Sequence, residues 1–259
     1  MRLVFLGTGT SYGVPQIGCG CRTCTSLDPR DRRTRTAALI EAGGRRLLID
    51  TPPELRLQLV GAGIASVDAV LFTHAHADHV HGIDDLRAVS TRRQGPLDVY
   101  GAPGTLAELT RRFEYIFDGT PAPPGTSKPE LLVHALQPDE ETKIAGMPVR
   151  ALALPHGGAT VLGFRVGSIA YLTDVKVIPE AALARLEGLA VLVLNALLPR
   201  PHPLHLSIPE AVAAAQRIGA RQTFLTHLTH DAPHAELAAR LPAGIAPAYD
   251  GLVIDVDAV

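Results

Sequence analysis

Tryptophan is absent from this 259-residue sequence, and aromatic residues make up only 4% of it. Few side chains are therefore available for stacking on nucleic-acid bases. The charge is also nearly balanced, with 24 basic and 26 acidic residues and a formal net charge of −2. Such a chain has no general attraction for a polyanion. Both features predict that a long nucleic acid is not the partner.

Long hydrophobic runs are absent as well, since no stretch reaches the roughly 18 uncharged apolar residues that a membrane-spanning helix needs. The nearest, residues 189–198, is short, contains Asn195 and is typical of a buried strand. The apolar start, residues 1–6, is too short for a signal peptide and predicts a first β-strand. We therefore expect no membrane partner and a cytoplasmic location.

Cysteine is scarce, and its odd number argues against a disulfide framework. The three cysteines are Cys19, Cys21 and Cys24, so all lie within six residues. Thiolates this close repel one another unless a cation lies between them, and a structural zinc ion with one further ligand is the usual solution. We predict that ligand to be His230, with His234 as the alternative. The competing interpretation is a flexible loop with three unliganded thiols.

Residues 73–79 combine three histidines and one aspartate directly after an apolar run, residues 67–72, that predicts a buried strand. His74 and His76 are two residues apart in extended backbone, so they share a face and can bind one ion. Asp78 and His79 follow where the chain bends into a helix and can bind a second ion nearby. The segment therefore predicts a metal site beyond the carboxyl end of a strand.

Three further candidate ligands also follow apolar strands, namely His156, Asp174 and His227. His156 directly follows Leu-Ala-Leu-Pro, Asp174 follows Ala-Tyr-Leu-Thr and His227 follows Phe-Leu-Thr. Four strands therefore deliver metal-binding side chains to one edge of the fold, where rigid strands determine the geometry of the loops.

The order of these seven residues resembles the signature of the metallo-β-lactamase superfamily, over the length of the chain. The resemblance implies an α/β fold, a four-layer αββα sandwich, in a single domain over residues 1–259. It also implies a dinuclear site with one ion on His74, His76 and His156, the other on Asp78, His79 and His227, and Asp174 bridging them. Asp50 matches the first motif of the superfamily and is expected to orient a ligand histidine.

Two ions about 3.5–4 Å apart lower the pKa of a bound water towards roughly 7 and stabilise charge on a phosphoryl or carbonyl oxygen. A metal-bound hydroxide is then the expected nucleophile, so no serine or cysteine nucleophile is needed. The mixed imidazole and carboxylate ligands suit zinc, manganese or iron. We expect two catalytic divalent ions, manganese or zinc, beside the one structural zinc.

The opening Gly-Thr-Gly-Thr-Ser-x-Gly-Val-Pro at residues 7–15 and the cysteine cluster narrow the resemblance. With His227-x-x-His230, they are similar to the group typified by the phosphoribosyl 1,2-cyclic phosphate phosphodiesterase. That group implies a small, cyclic ribose or nucleotide phosphodiester as substrate and a possible homodimer. It also implies His205 as proton donor to the leaving oxygen, with His202 as competitor. His205 and Asp78 are the expected catalytic residues.

Other functions remain open: a nuclease acting on tRNA ends, a thioester or lactam hydrolase, or a non-catalytic metal-stabilised binding module. The tRNA nuclease would need an RNA-gripping extension, which the sequence does not indicate. Two further expectations concern the fold. The arginines at positions 30, 32, 33 and 35 are expected in a solvated loop, and residues 98–129 are expected to leave the sandwich.

Overall fold

The structure is a computed structural model that describes residues 1–256. Its strands are β1 (Arg2–Gly7), β2 (Ala37–Ala42), β3 (Arg45–Ile49), β4 (Ala69–Leu71), β5 (Leu97–Gly101), β6 (Leu131–Ala135), β7 (Glu141–Ile144), β8 (Met147–His156), β9 (Ala159–Val166), β10 (Ile169–Leu172), β11 (Val191–Asn195), β12 (Gln222–Thr226), β13 (Ile245–Pro247) and β14 (Val253–Asp255). Its α-helices are α1 (Leu55–Gly61), α2 (Ala77–Val80), α3 (Leu86–Arg93), α4 (Pro103–Arg112), α5 (Glu114–Phe117), α6 (Glu180–Leu183), α7 (Ile208–Ile218) and α8 (His234–Arg240).

The strands form two seven-stranded sheets with the same arrangement. Their orders are β14-β1-β2-β3-β4-β5-β6 and β13-β12-β11-β10-β9-β8-β7. In the first sheet β14 to β3 are antiparallel and β3 to β6 are parallel. In the second, β7 to β10 are antiparallel and β10 to β13 are parallel. The carboxyl ends of parallel strands share an edge, which is where ligand sites form in such sheets.

Alternating side chains along each strand create the layers, because successive residues point to opposite faces. In β1, Leu3 and Phe5 pack between the two sheets, whereas Val4 and Leu6 pack beneath helices. The inter-sheet core also contains Phe164 and Tyr171 from the second sheet, both fully buried. Burying one such side chain contributes roughly 1.5–3 kcal/mol relative to leaving it exposed. Strands that are apolar on both faces thus require cover on both faces.

Helices provide the outer cover. Leu55 of α1, Leu86 of α3 and Leu109 of α4 belong to the core outside the first sheet. Ala211 of α7 and Leu237 of α8 belong to the core outside the second. The layer order is helices, sheet, sheet, helices, so the predicted αββα sandwich is confirmed.

The longest helix, α7, begins at a capping box. The Ser207 hydroxyl accepts from the Glu210 backbone N–H, and the Glu210 carboxylate accepts from the Ser207 backbone N–H at 2.8 Å. The helix ends at Gly219, whose φ of 70° few other residues adopt. This local sequence holds the start of α7 just after His205, at the edge where the parallel strands end.

The expectation that residues 98–129 leave the sandwich was wrong. Most of β5 falls in this range, and β5 pairs with β4 on one side and β6 on the other. Helices α4 and α5 follow it, and the one long stretch here without helix or strand is residues 118–130. The strand was not recognised in the sequence because the charged Asp98 interrupts a short apolar run. In the structure, the Asp98 carboxylate lies 2.7 Å from the Nε2 atom of His134 on the neighbouring strand.

The single-domain assignment over residues 1–259 stays a prediction, and residues 257–259 lie outside the described part of the chain. Within residues 1–256, no helix has the length and apolar character needed to cross a membrane.

Candidate active site

Sharp turns at the strand ends direct the candidate ligands towards one point. His156 is the last residue of β8, His227 follows β12 directly, and Asp174 lies two residues beyond β10. Asp174 and His227 have φ values of 56° and 58°, and Asp50, directly after β3, has 64°. Residues other than glycine seldom adopt this left-handed conformation, which costs of order 1–3 kcal/mol. Three such turns at one edge indicate that the fold holds these side chains in place.

The first cluster comprises His74, His76, His156 and Asp174. One ligand atom from each lies within 4.8 Å of every other. The Nε2 atom of His74 and the Nδ1 atom of His156 are buried and have no hydrogen-bond partner among the described residues. Unpartnered buried nitrogens that converge on one point fit a metal ion, because leaving such groups unpaired is costly.

The second cluster comprises Asp78, His79 and His227, whose ligand atoms also lie within 4.8 Å of one another. Asp174 reaches this cluster too. Its Oδ2 is 3.2 Å from His79 Nε2 and its Oδ1 is 3.5 Å from His227 Nε2. Asp174 therefore lies between the two clusters, in the place expected of a bridging ligand.

Asp50 supports both clusters from beneath. Its Oδ1 accepts from the Thr73 backbone N–H at 2.9 Å, and its Oδ2 accepts from the Thr73 hydroxyl at 2.8 Å. The same Oδ2 accepts from His79 Nδ1 at 2.7 Å. Because the Thr73 hydroxyl donates to Asp50, it accepts from His74 Nδ1 at 3.0 Å. Both Nδ1 atoms then carry the proton, which leaves the Nε2 lone pairs free for metal.

The electrostatics match this arrangement. Burial lowers the pKa of His74 well below its usual value, so its ring is neutral. Burial alone would also lower the pKa of His79, but the carboxylates of Asp174 and Asp50 raise it well above its usual value. Burial would raise the pKa of Asp174, yet the neighbouring His227 and His79 hold it well below its usual range. A protonated His79 between carboxylates is a position that a bound cation can take over by displacing the proton.

His205, the expected proton donor, lies beside these candidate ligands. Its Nδ1 is 3.6 Å from Asp174 Oδ1, and its ring stacks on His227 with centroids 5.1 Å apart. Burial, together with the charge of His227, lowers the pKa of His205 to about 3. The competing His202 lies 5.2 Å beyond the His205 ring, and its Nδ1 accepts from the Leu204 backbone N–H. The structure thus groups His205, and not His202, with Asp174 and His227.

The three cysteine side chains lie around one nitrogen atom of His230. The Nδ1 atom of His230 lies 3.3 Å from the Sγ atoms of Cys19 and Cys24 and 3.6 Å from that of Cys21. Zinc bonds of about 2.3 Å to sulfur and 2.0 Å to nitrogen at tetrahedral angles place these atoms about 3.5 Å apart. Burial raises the pKa of Cys24 to about 11, so without a cation its thiol keeps the proton. The donor set and its spacing fit a zinc ion.

His234, the alternative fourth ligand, lies elsewhere. Its Nδ1 accepts from Arg33 Nη2 at 3.2 Å, and its backbone N–H donates to Asp31 at 2.6 Å. Arg33 is only 2% exposed and also donates to Thr8 Oγ1 and the Ala248 carbonyl oxygen. The prediction of a solvated arginine loop was therefore wrong for Arg33, which ties the cysteine-containing segment to the end of the chain.

The glycine-rich opening supports the His227 loop. A Cβ atom on Gly7 would lie 2.0 Å from the Arg35 carbonyl oxygen, so no larger residue fits. This close approach lets Thr8 accept from the Leu228 backbone N–H at 3.0 Å, while Thr10 donates to the Leu228 carbonyl oxygen at 3.2 Å. The loop therefore holds the residue next to His227 from both sides.

A cleft of about 370 Å³ opens beside His74, His76 and His156. Its other wall is α4, through Gly104, Thr105, Glu108 and Arg112, among other residues. Sequence reasoning missed these α4 residues because nothing in a short amphipathic helix signals which side faces a site. A larger cavity of about 670 Å³ lies between α1 and β1, and none of the metal-ligand clusters borders it.

Comparison with known proteins agrees with this geometry. The Beta-lactamase superfamily domain matches residues 45–228. The chain is 42% identical to an octanoyltransferase of Porphyromonas gingivalis over 260 aligned positions, covering 99% of this chain but 52% of that protein. It is 30% identical to a ribonuclease Z of a Bradyrhizobium species over 193 positions, covering 72% of this chain and 56% of that protein. The chain thus spans about half the length of these curated relatives.

Among solved structures, a diphosphatase from the PhnP family superposes with a TM-score of 0.91 at 38% identity, covering 99% of this chain and 98% of that one. The matched domain contains nearly the whole histidine and aspartate constellation, and the superposition extends over both sheets. On these grounds the chain belongs to the metallo-β-lactamase superfamily and resembles its PhnP-like members.

Proposed function

We propose that this protein is a dinuclear, metal-dependent phosphodiesterase that hydrolyses a small phosphodiester, most simply a cyclic phosphate of a ribose or nucleotide. The observation that carries the proposal is the position of Asp174. Asp174 belongs to the first cluster with His74, His76 and His156, and its two oxygens face His79 and His227 of the second. Its Oδ1 also faces His205, so one carboxylate joins both ligand clusters and the expected proton donor.

The residues present fit three ions. Two catalytic divalent ions, manganese or zinc, would be held by the two histidine clusters with Asp174 shared. One structural zinc would be held by Cys19, Cys21, Cys24 and His230. The fit rests on the buried Nε2 atoms of His74, His79 and His227, which have no hydrogen-bond partner among residues 1–256. When bound, the catalytic pair would activate water and neutralise charge on the phosphoryl oxygens.

The protein side chains then have separate tasks. Asp50 keeps the His79 ring in the tautomer that leaves Nε2 free. The ionised Asp78 carboxylate orients the attacking water. As the new P–O bond forms and the bond to the sugar oxygen breaks, His205 donates its proton to the departing alkoxide. Burial lowers the pKa of His205 to about 3, so the negative charge that builds on the phosphoryl oxygens during the attack has to raise this pKa before the proton moves.

The cleft of about 370 Å³ matches the size of a sugar phosphate, which favours a small substrate. The net charge of −2 also provides no general attraction for a long nucleic acid. The structural neighbour with a TM-score of 0.91 is a diphosphatase, which supports chemistry at a phosphate group. We accordingly propose a small phosphodiester as the partner, with no membrane; a homodimer stays a prediction.

The second candidate is a nuclease acting on tRNA ends, favoured by the 30% identity to ribonuclease Z. The octanoyltransferase name carries less weight, because about half of that protein has no counterpart in this chain. A thioester or lactam hydrolase would use the same ligands and has no observation of its own in its favour.

Turnover of ribose 1,2-cyclic phosphate, 2′,3′-cyclic nucleotides and a tRNA precursor by manganese-loaded and zinc-loaded protein tests the proposal. We expect ring opening of a cyclic phosphate that Asp174→Ala abolishes and His205→Ala slows by roughly 10²-fold or more. His202→Ala is the matched control and should stay near the wild-type rate. Cleavage of the tRNA precursor alone would favour the nuclease. No turnover of any phosphodiester with the ions bound would refute the proposal.

A further inference from the structure

A separate cleft of about 360 Å³ opens on the second sheet, and most of the residues that line it are charged. Three of them are arginines: Arg150 on β8, Arg165 on β9 and Arg185, which lies two residues beyond α6. Along β8, Arg150 is separated from His156 by about 20 Å, since a strand rises roughly 3.3 Å per residue. The cleft is therefore remote from the histidine clusters and takes no part in the proposed hydrolysis.

Two of these arginines face each other directly across the sheet. Arg150 and Arg165 are partners in the antiparallel register of β8 and β9. The residues on either side of Arg150, Val149 and Ala151, pack between the two sheets, so both arginine side chains lie on the outer face. Like charges directly opposite each other destabilise a pair of strands. An anion bound between the two guanidinium groups would remove this repulsion.

Neutral carbonyl oxygens hold the guanidinium groups in place. Arg150 Nη1 donates to the Asp139 carbonyl oxygen at 2.6 Å. Arg165 donates from Nε to the Gly167 carbonyl oxygen at 3.0 Å and from Nη1 to the Arg185 carbonyl oxygen at 2.5 Å. These acceptors fix the direction of a guanidinium group without neutralising its charge. Arg165 Nη2 and both Nη atoms of Arg185 have no hydrogen-bond partner in the described part of the chain, so they can donate to a ligand.

The carboxylates beside the cleft do not balance its charge. Glu141 lies 3.2 Å from Arg150 Nη2, and Asp139 lies 3.8 Å from Arg185 Nε. Three guanidinium groups and two carboxylates leave one net positive charge. The Glu141 and Asp139 side chains are 56% and 50% exposed, and ion pairs at such positions are weak. Both carboxylates can therefore turn into solvent when an anion binds.

We propose that Arg150, Arg165 and Arg185 form a binding site for a phosphate dianion, either inorganic phosphate or the phosphate group of a monoester. Guanidinium groups that approach from three backbone segments suit a tetrahedral anion, whose oxygens point in three dimensions, better than a planar carboxylate. The cleft also has room for a sugar beside the phosphate. The site is separate from the metal ligands and goes beyond the proposed phosphodiesterase function.

The test is a titration of zinc-loaded protein followed by amide NMR, because each amide reports its own surroundings and so separates this cleft from the catalytic ions. Inorganic phosphate and ribose 5-phosphate are compared with acetate at constant ionic strength. We expect saturable shifts at the amides of Gly167, Ala184 and Arg185, with a Kd of about 1 mM or below for at least one phosphate. Acetate should bind about 10-fold more weakly or less. The phosphate that binds more tightly identifies the source of the anion.

Arg185→Gln is the main variant, because this side chain is exposed and makes one ion pair at 3.8 Å, so its replacement should not disturb the fold. It should weaken phosphate binding at the cleft by about 10-fold, since a hydrogen bond to a charged group contributes about that factor. Arg165→Gln should weaken binding at least as much. Arg46→Gln, the matched control, makes the same change on β3 of the first sheet and should leave the titration unchanged.

Three results would overturn this site. They are the absence of saturable shifts at the three amides, equal affinity for phosphate and acetate, and an unchanged phosphate titration in Arg185→Gln. Shifts confined to amides near the histidine clusters belong to the first case, because they would place the phosphate at the catalytic ions alone. None of these results bears on the proposed phosphodiesterase, which the turnover of cyclic phosphates tests separately.

Discussion

Replacing Asp50 by asparagine tests whether this buried carboxylate sets the histidine tautomers. The change keeps the volume, and asparagine tolerates the φ of 64° found here, so the backbone is not newly strained. One oxygen, however, becomes an NH₂ group. If it replaces Oδ2, a donor faces the Thr73 hydroxyl and His79 Nδ1; if it replaces Oδ1, a donor faces the Thr73 backbone N–H.

The size of the expected loss in metal affinity follows from the change that the substitution imposes on His79. Facing a neutral amide, its Nδ1–H loses a charged acceptor at 2.7 Å, and facing NH₂ the ring must move its proton to Nε2. A proton on Nε2 blocks the atom that faces Asp174 and the second cluster. Losing a partner of this kind costs about 10- to 100-fold in metal affinity, or roughly 1.4–2.7 kcal/mol. The loss should fall mainly on the ion held by Asp78, His79 and His227.

Chelator competition with zinc, resolved into separate affinities, measures this effect. Asp98→Asn is the matched control, because Asp98 also pairs with a histidine at 2.7 Å, but at a partly exposed surface remote from the ligands. We expect the control to bind like the wild type and Asp50→Asn to show one weakened catalytic ion. Wild-type affinity for all ions in Asp50→Asn would refute the assignment of Asp50.

Three further predictions concern stability. Gly7→Ala should lower the free energy of unfolding, measured by urea titration, by roughly 1–3 kcal/mol or more, because the new Cβ would clash with the Arg35 carbonyl oxygen. Gly61→Ala is the control and should change this free energy by less than about 1 kcal/mol, because Gly61 lies in a helix with open space around it. Burial and the Arg33 charge lower the pKa of His234 from 6.5 in the unfolded chain to about 4 in the folded protein. Between these pH values the folded state binds fewer protons than the unfolded state. The contribution of the neutral His234 ring to the free energy of unfolding is therefore complete above pH 6.5 and is lost as the pH falls towards 4. His234→Asn should therefore reduce the loss of unfolding free energy between pH 7 and 4.5 by roughly 2 kcal/mol, and equal pH dependence in both proteins would contradict this. Cys19→Ser should lower the zinc content by one ion per chain and lower the melting temperature, and retention of all zinc would show that its thiolate is not a ligand.

The sequence could predict that the candidate ligands lie together, because each follows the end of an apolar strand. His74, His156 and His227 each follow an apolar run, and parallel strands bring their carboxyl ends together whatever the loops do. The sequence could not decide in the same way whether His230 or His234 is the fourth candidate ligand of the structural zinc site. Both follow His227 within one short segment, and only the fold shows that His234 turns towards Arg33.

Features that depend on contacts between distant parts of the chain could not be predicted from the sequence. Arg33 is buried because Thr8 and Ala248, at opposite ends of the chain, provide its acceptors. Strand β5 was missed because its pairing with β4 and β6, and not its own composition, stabilises it.

The candidate ligands come from both halves of the sandwich, and this division has a mechanical consequence. His74, His76, Asp78 and His79 follow a strand of the first sheet, whereas His156, Asp174 and His227 follow strands of the second. Ions bound between them would join the sheets at one edge, where a backbone hydrogen bond from Leu162 to the Thr73 carbonyl oxygen at 2.9 Å already crosses. Metal loading should therefore slow amide hydrogen exchange at the ends of β4, β10 and β12 more than in β7, which pairs with the residues of β8 farthest from His156. Removal of the ions should let the two sheets separate locally before the protein unfolds.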